Sequence, residues 1–97
     1  MPAMRVGIVG AGTAGLAAAA LVARAGHGVA VLERAPDPGP VGAGLLLQPT
    51  GAAVLERLGV LDEVRAGAAR IERVVGTTVG GRRFMDLAWW CCGAIAN

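Results

Sequence analysis

Three glycines, Gly10, Gly12 and Gly15, stand as G-x-G-x-x-G between an apolar run, Met4 to Val9, and an alanine-rich stretch. Glu33 closes the next apolar run, 18 residues after Gly15. No other feature restricts the fold as strongly, because each position has its own physical task. Gly10 permits a tight turn out of a strand, Gly12 lets backbone approach a pyrophosphate, and Gly15 lets a helix lie close on the strand. The helix N-terminus then offers unpaired N–H groups and a positive dipole end to phosphates. Glu33, at the end of the second strand, can accept hydrogen bonds from ribose hydroxyls. Its charge repels a 2′-phosphate, which disfavours NADP at this site. The glycine motif alone is common; the strand before it, the helix after it and the acid beyond make it specific.

Met4 to Val9 and Val29 to Glu33 read as strands buried on both faces, and Thr13 to Ala25 as a helix capped by Gly26. Ala35 to Pro40 (APDPGP) reads as a loop, since proline fixes φ and removes donors. Val41 to Gln48 is expected to be extended. Pro49 to Leu58 reads as an amphipathic helix with Ala53, Val54, Leu55 and Leu58 on its apolar face, ended by Gly59. Leu61 to Ala66 is a further short helix. Ile71 to Val79 and Arg82 to Leu87 read as two strands joined at Gly80-Gly81, a pair suited to a two-residue turn of positive φ. The fold class is α/β: an incomplete Rossmann-like βαβ unit followed by a helix and a β-hairpin. The first strand is central in a complete doubly wound sheet, so in a chain of 97 residues its second edge is expected to be open, apolar and prone to aggregation.

Composition excludes several classes. The nine basic residues are all arginine, scattered from Arg5 to Arg83, and the net charge is only +2, which does not argue for nucleic acid, since a binding face needs clustering. Val6 to Ala23 carries no charge and follows Arg5, as a secretory signal or membrane span would. Glycines at motif spacing and a threonine interrupt it, so no membrane span is expected. Cys91 and Cys92 are adjacent, neither a C-x-x-C pair nor half of a zinc site, so a reduced, cytoplasmic setting and no metal are expected. His27, flanked by Gly26 and Gly28, reads as a solvated turn residue. Glu56, Arg57, Asp62, Glu63 and Arg65 read as a solvated helical face. Glu72 and Arg73 read as the wet side of the hairpin, and Arg82-Arg83 as exposed.

The stretch VGIVGAGTAGLAAAALVARAGHGVAVLER resembles the N-terminus of FAD-dependent monooxygenases of the aromatic-hydroxylase type. A second stretch, VGAGLLLQPTGAAVLERLGVLDEV, is more specific. That family carries G-A-G-[IL]-x-[IL]-x-P, then a helix ending L-G-[LV]. Gly42, Ala43, Gly44, Leu45, Leu47, Pro49, Leu58, Gly59 and Val60 match it. The resemblance covers about residues 4 to 87. It implies that Gly10, Gly12, Ala14 and Gly15 line the FAD pyrophosphate, with Ala11 and Thr13 in the same cofactor-binding turn, that Glu33 holds the adenosine ribose and that Arg34 lies by the adenine. It implies that Val41, Gly42 and Ala43 run close to the ribityl and flavin part. In that family NAD(P)H reduces FAD, and the reduced flavin uses O₂ to hydroxylate a small, aromatic substrate. The protein supplies binding and orientation, so no catalytic acid or base is named.

Departures from the family bound the expectation. Family members run to several hundred residues and carry Asp-Gly and Gly-Asp elements, whereas Asp37, Asp62 and Asp86 have no glycine neighbour. Residues 1–87 are expected to be the N-terminal portion of an FAD-binding domain. Residues 88–97 (AWWCCGAIAN) show no charge, strand alternation or helical period, and read as an atypical hydrophobic tail such as a frame shift or truncation leaves. The chain by itself is expected to be inactive as a monooxygenase. The alternatives are a non-catalytic dinucleotide-binding module and a fragment of an NAD-binding dehydrogenase. Oligomeric state is not legible.

Overall fold

The computed structural model describes residues 2–40 and 44–96, with side chains as far as residue 88. It divides into two compact units, Met1–Val41 and Gly42–Asn97.

The first unit is β1 (Arg5–Val9), α1 (Thr13–Arg24) and β2 (Gly28–Leu32). The strands pair in parallel, from Arg5 opposite Gly28 to Val9 opposite Leu32, with α1 as the crossover. Alanine and leucine give α1 its propensity, and its end is closed by backbone. Gly26, at φ 88, donates to the Ala23 carbonyl, and the N–H of His27 reaches back to Val22 O at 3.3 Å. These are the two bonds of a Schellman ending, which requires the left-handed residue that glycine supplies. His27 then helps start β1: its Nδ1 accepts the Met4 N–H at 3.2 Å. The ring is half-buried, so the solvated-turn reading is corrected: the turn brings His27 beside the N-terminus of β1.

The two strands were expected to be buried on both faces; they are not. Every described residue of this unit is exposed or half-buried, and Val9 and Leu32 are 86% and 60% exposed. Parallel strands need layers on both faces, and α1 is the only helix among the unit's described residues. Among the described residues β1 pairs with β2 alone, which leaves the open apolar edge that the sequence predicts.

The second unit is β3 (Gly44–Leu46), α2 (Pro49–Leu58), α3 (Leu61–Ala66), β4 (Ala69–Thr77) and β5 (Arg83–Ala96). Its antiparallel sheet has the order β3-β5-β4. Pro49 opens α2, where its missing N–H costs nothing, and Gly59 at φ 77 ends it. Among the described side chains, Ala52, Leu58 and Leu61 are buried. Ala52 rather than Ala53 lies on the buried face of α2, because the helix turns its i, i+3, i+6 row (52, 55, 58) inward.

Two readings of the hairpin are corrected. The connection is not a two-residue Gly80-Gly81 turn. Gly81 N–H donates to Thr78 O at 2.9 Å, Thr78 N–H to Arg82 O at 2.8 Å, and only Gly81 has positive φ, 83°. This is the three-residue loop whose last residue is left-handed. The second strand does not end at Leu87 but continues to Ala96, flanked by β4 and β3. Pairing with β4 as far as Ala94 and with β3 from Ala94 to Ala96 carries the strand on through residues that lack side-chain alternation.

Near the turn the register shifts between Gly76 and Thr77, which skips Phe84. The Phe84 ring covers Gly76: a Cβ there would lie 2.7 Å from the ring's Cζ. Asp86 faces Arg73 and Arg83. Arg73 Nε donates to Oδ1 at 2.6 Å, its Nη2 to Oδ2, and Arg83 Nη1 to Oδ2 at 2.9 Å. The Arg73 guanidinium holds the Asp86 carboxyl below its ordinary range. Arg73 and Arg83 are exposed, as read, but Asp86 as their common partner was not anticipated. Glu56, Arg57, Asp62, Glu63 and Arg65 are exposed as expected.

Candidate dinucleotide site

The glycine turn lies at the C-terminal ends of β1 and β2, where open α/β sheets bind ligands. Three contacts set its shape. Gly10, at φ 103, donates to Leu32 O at 2.7 Å and so carries the β1–β2 link one step past the strand. Gly15 lies against the turn: a Cβ on it would stand 1.9 Å from the Gly10 carbonyl oxygen and 3.6 Å from Ile8 Cγ2. Only glycine allows that approach of helix to strand. Ala11 N–H donates to Glu33 Oε2 at 2.7 Å.

The opposite side of the turn is open. A Cβ on Gly12 would meet nothing within 4 Å, and Gly12, Thr13 and Ala14 are exposed. Gly12 is the N-cap of α1 and gives it no side-chain cap, and the first turn holds no acid. The helix therefore presents N–H groups without a side-chain cap and a positive end with no acid in its own first turn, the donor set that suits a pyrophosphate.

Glu33 follows β2 directly. Its Oε1 accepts the N–H of Ala35 at 3.0 Å while Oε2 holds Ala11. The Ala35 N–H first, and the Ala11 N–H next, hold this carboxyl below its ordinary range. It is thus an exposed anion fixed in orientation by backbone. Arg34, beside it, is exposed. Val41, Gly42 and Ala43 lie outside the described residues. Two contributors were not singled out from sequence: the Leu32 carbonyl and the Ala35 N–H. Both are main-chain groups, which a side-chain pattern cannot mark.

A concavity of about 300 Å³ lined by Arg5, Val6, Gly7, Gly28, Val29 and Ala30 lies along the N-terminal halves of the strands, away from the turn. It is a stretch of uncovered sheet and carries none of the donors just described. Among the described residues no group of His, Cys, Asp or Glu could hold a metal, and no helix is long and apolar enough to cross a membrane.

A parallel βαβ unit with a glycine turn, an uncapped helix and an acid after β2 defines a dinucleotide-binding fold. The chain belongs to the FAD binding domain family, whose profile matches residues 3–94. Its relatives include 3-amino-4-hydroxybenzoate 2-monooxygenase of Streptomyces cremeus, 44% identical over 71 residues, which are 73% of this chain and 18% of that protein. Another is 3-hydroxybenzoate 6-hydroxylase of Polaromonas naphthalenivorans, 38% identical over 68 residues, 70% of this chain and 17% of that protein. The solved tetrameric form of 2-methyl-3-hydroxypyridine-5-carboxylic acid oxygenase matches 99% of this chain and 26% of its own at TM-score 0.81 and 26% identity. The chain spans under a quarter of the length of the first two relatives.

Proposed function

We propose that this chain forms the adenosine-diphosphate half of the FAD site of a flavin-dependent aromatic hydroxylase. FAD, when bound, supplies the redox chemistry; this chain's residues bind and orient it. Gly12, Thr13 and Ala14 present their backbone to the pyrophosphate, Gly10, Ala11 and Gly15 shape the turn that carries them, Glu33 takes the ribose hydroxyls and Arg34 the adenine side. Val41, Gly42 and Ala43 follow the cofactor toward its flavin end. NAD(P)H is the electron donor of the whole enzyme, the substrate is a small aromatic molecule, and the setting is cytoplasmic. The observation that supports this most is the Glu33 carboxylate, anchored at the edge of a glycine turn whose far side is open.

The test is an FAD titration of the chain followed by flavin fluorescence and competed with ADP. Saturable binding displaced by ADP is expected, without NAD(P)H oxidation, because no Asp-Gly or Gly-Asp element of the family is present in these residues. Soluble, folded protein that leaves FAD fluorescence unchanged would sink the reading. Tighter binding of NAD than of FAD would favour the dehydrogenase alternative. FAD binding in the full-length context without hydroxylation would favour the non-catalytic module.

A further inference from the structure

One of the groups that shapes the glycine turn is the proposed ribose acceptor itself. We infer that Glu33 is a positioning residue for the phosphate turn, so that one carboxylate couples pyrophosphate recognition to ribose recognition. The inference rests on the proposed dinucleotide reading and extends it from what Glu33 touches to what it holds in place.

The hydrogen-bond count permits both roles at once. A carboxylate offers about four lone-pair sites over its two oxygens. Ala11 N–H takes one on Oε2 and Ala35 N–H one on Oε1. The Arg34 N–H also acts on this carboxylate, so about one site remains for a ribose hydroxyl. The acid therefore need not release the turn when ligand arrives.

Geometry gives the clamp its direction. Gly10 is already fixed by the Leu32 carbonyl at 2.7 Å and by the close approach of Gly15. Ala11 stands between Gly10 and the open Gly12, and the bond to Glu33 is the side-chain contact that orients its peptide. With that peptide turned toward Glu33, the exposed Gly12–Ala14 backbone keeps its donors toward solvent, where a pyrophosphate binds. The glycine turn and the first turn of α1 carry no charged residue, and the charges flanking Glu33 on its own loop are Arg34 and Asp37. A charge-assisted hydrogen bond is stronger than a neutral one, so removing the carboxylate loosens the turn even for ligands that lack the ribose hydroxyls.

The experiment has two arms. In the free chain, the Ala11 amide proton is followed by NMR against pH. Its resonance is expected to move with a single carboxylate transition below the ordinary glutamate range, and to stop moving so in Glu33→Gln. An Ala11 resonance indifferent to carboxylate titration would overturn the inference without any variant needing to fold. In the second arm, Glu33→Ala is compared with the parent chain for ADP and for 2′,3′-dideoxy-ADP. Both ligands are expected to weaken, the dideoxy compound by about tenfold, near the low end for a charge-assisted bond. Weakening of ADP alone would make Glu33 a ribose acceptor only and refute the clamp. If the parent chain binds neither nucleotide, the dinucleotide reading fails, and the first arm still decides whether Glu33 holds the turn.

Discussion

Ala11 and Glu33 lie 22 residues apart and meet through a 2.7 Å hydrogen bond from backbone N–H to carboxylate. That bond ties the turn after β1 to the end of β2. It places the site's fixed anion against its backbone donors, and it depends on the parallel register that sets Val9 opposite Leu32.

Gly15→Ala should be the most damaging single-atom change in the first unit. The new Cβ would stand 1.9 Å from the Gly10 carbonyl, which is backbone and cannot swing aside. A loss of roughly 2–3 kcal/mol is expected, as for overpacked sites, together with loss of ADP binding. Denaturant unfolding and nucleotide titration check it. A variant as stable as its parent would refute the close helix–strand approach.

Gly81→Ala and Gly80→Ala should differ. Gly81 is left-handed at φ 83, whereas Gly80 has no positive φ and open space at its Cβ position apart from a contact at 3.9 Å. The first change is expected to cost about 1–2 kcal/mol and the second a few tenths. Equal costs would restore the two-residue turn. Thermal melts of the two variants decide.

Gly76→Val should displace the Phe84 ring, because a Cβ there would stand 2.7 Å from Cζ and 3.2 Å from Met85 Cβ. The ring is 69% exposed and can swing outward, so the expected loss is about 1 kcal/mol, at the low end for overpacking. The contact of the Phe84 ring over residue 76 is then lost, which a line-shape probe of the ring reports. An unchanged ring environment would refute the contact.

Acid should weaken both units through named carboxylates. Glu33 and Asp86 have folded values below their ordinary 4.5 and 3.8, the first held by the Ala35 and Ala11 N–H groups, the second by Arg73. A depressed folded value means that the unfolded chain binds the proton more tightly. Their contribution is therefore full above those ordinary values and is lost as pH falls through the lower folded ones. Both groups are solvent-exposed, so the effect is small and fades with added salt. Unfolding midpoints of the parent, Glu33→Gln and Asp86→Asn between pH 6 and pH 2.5 should converge in acid; parallel curves would exclude these two groups.

The glycine spacing, the apolar runs and the position of Glu33 identified the βαβ unit, its helix and its acid in the sequence, because each is a local demand. Tight turns need glycine, helices need alanine-like residues, and strands need short apolar runs. The same local chemistry made Pro49 and Gly59 the ends of α2. What tertiary structure alone decided is non-local. The Ala11–Glu33 and Gly10–Leu32 bonds exist only once β1 and β2 are in register. The exposure of both strands reflects which layers pack on them, and an apolar run cannot report whether its partners are present. The course of β5 through residues without alternation follows from its pairing with β4 and then with β3, and the common hold of Arg73 and Arg83 on Asp86 follows from the β4–β5 register. Pairing partners far apart in the chain carry no local signature, so hydrogen bonds between them become visible only in the folded molecule.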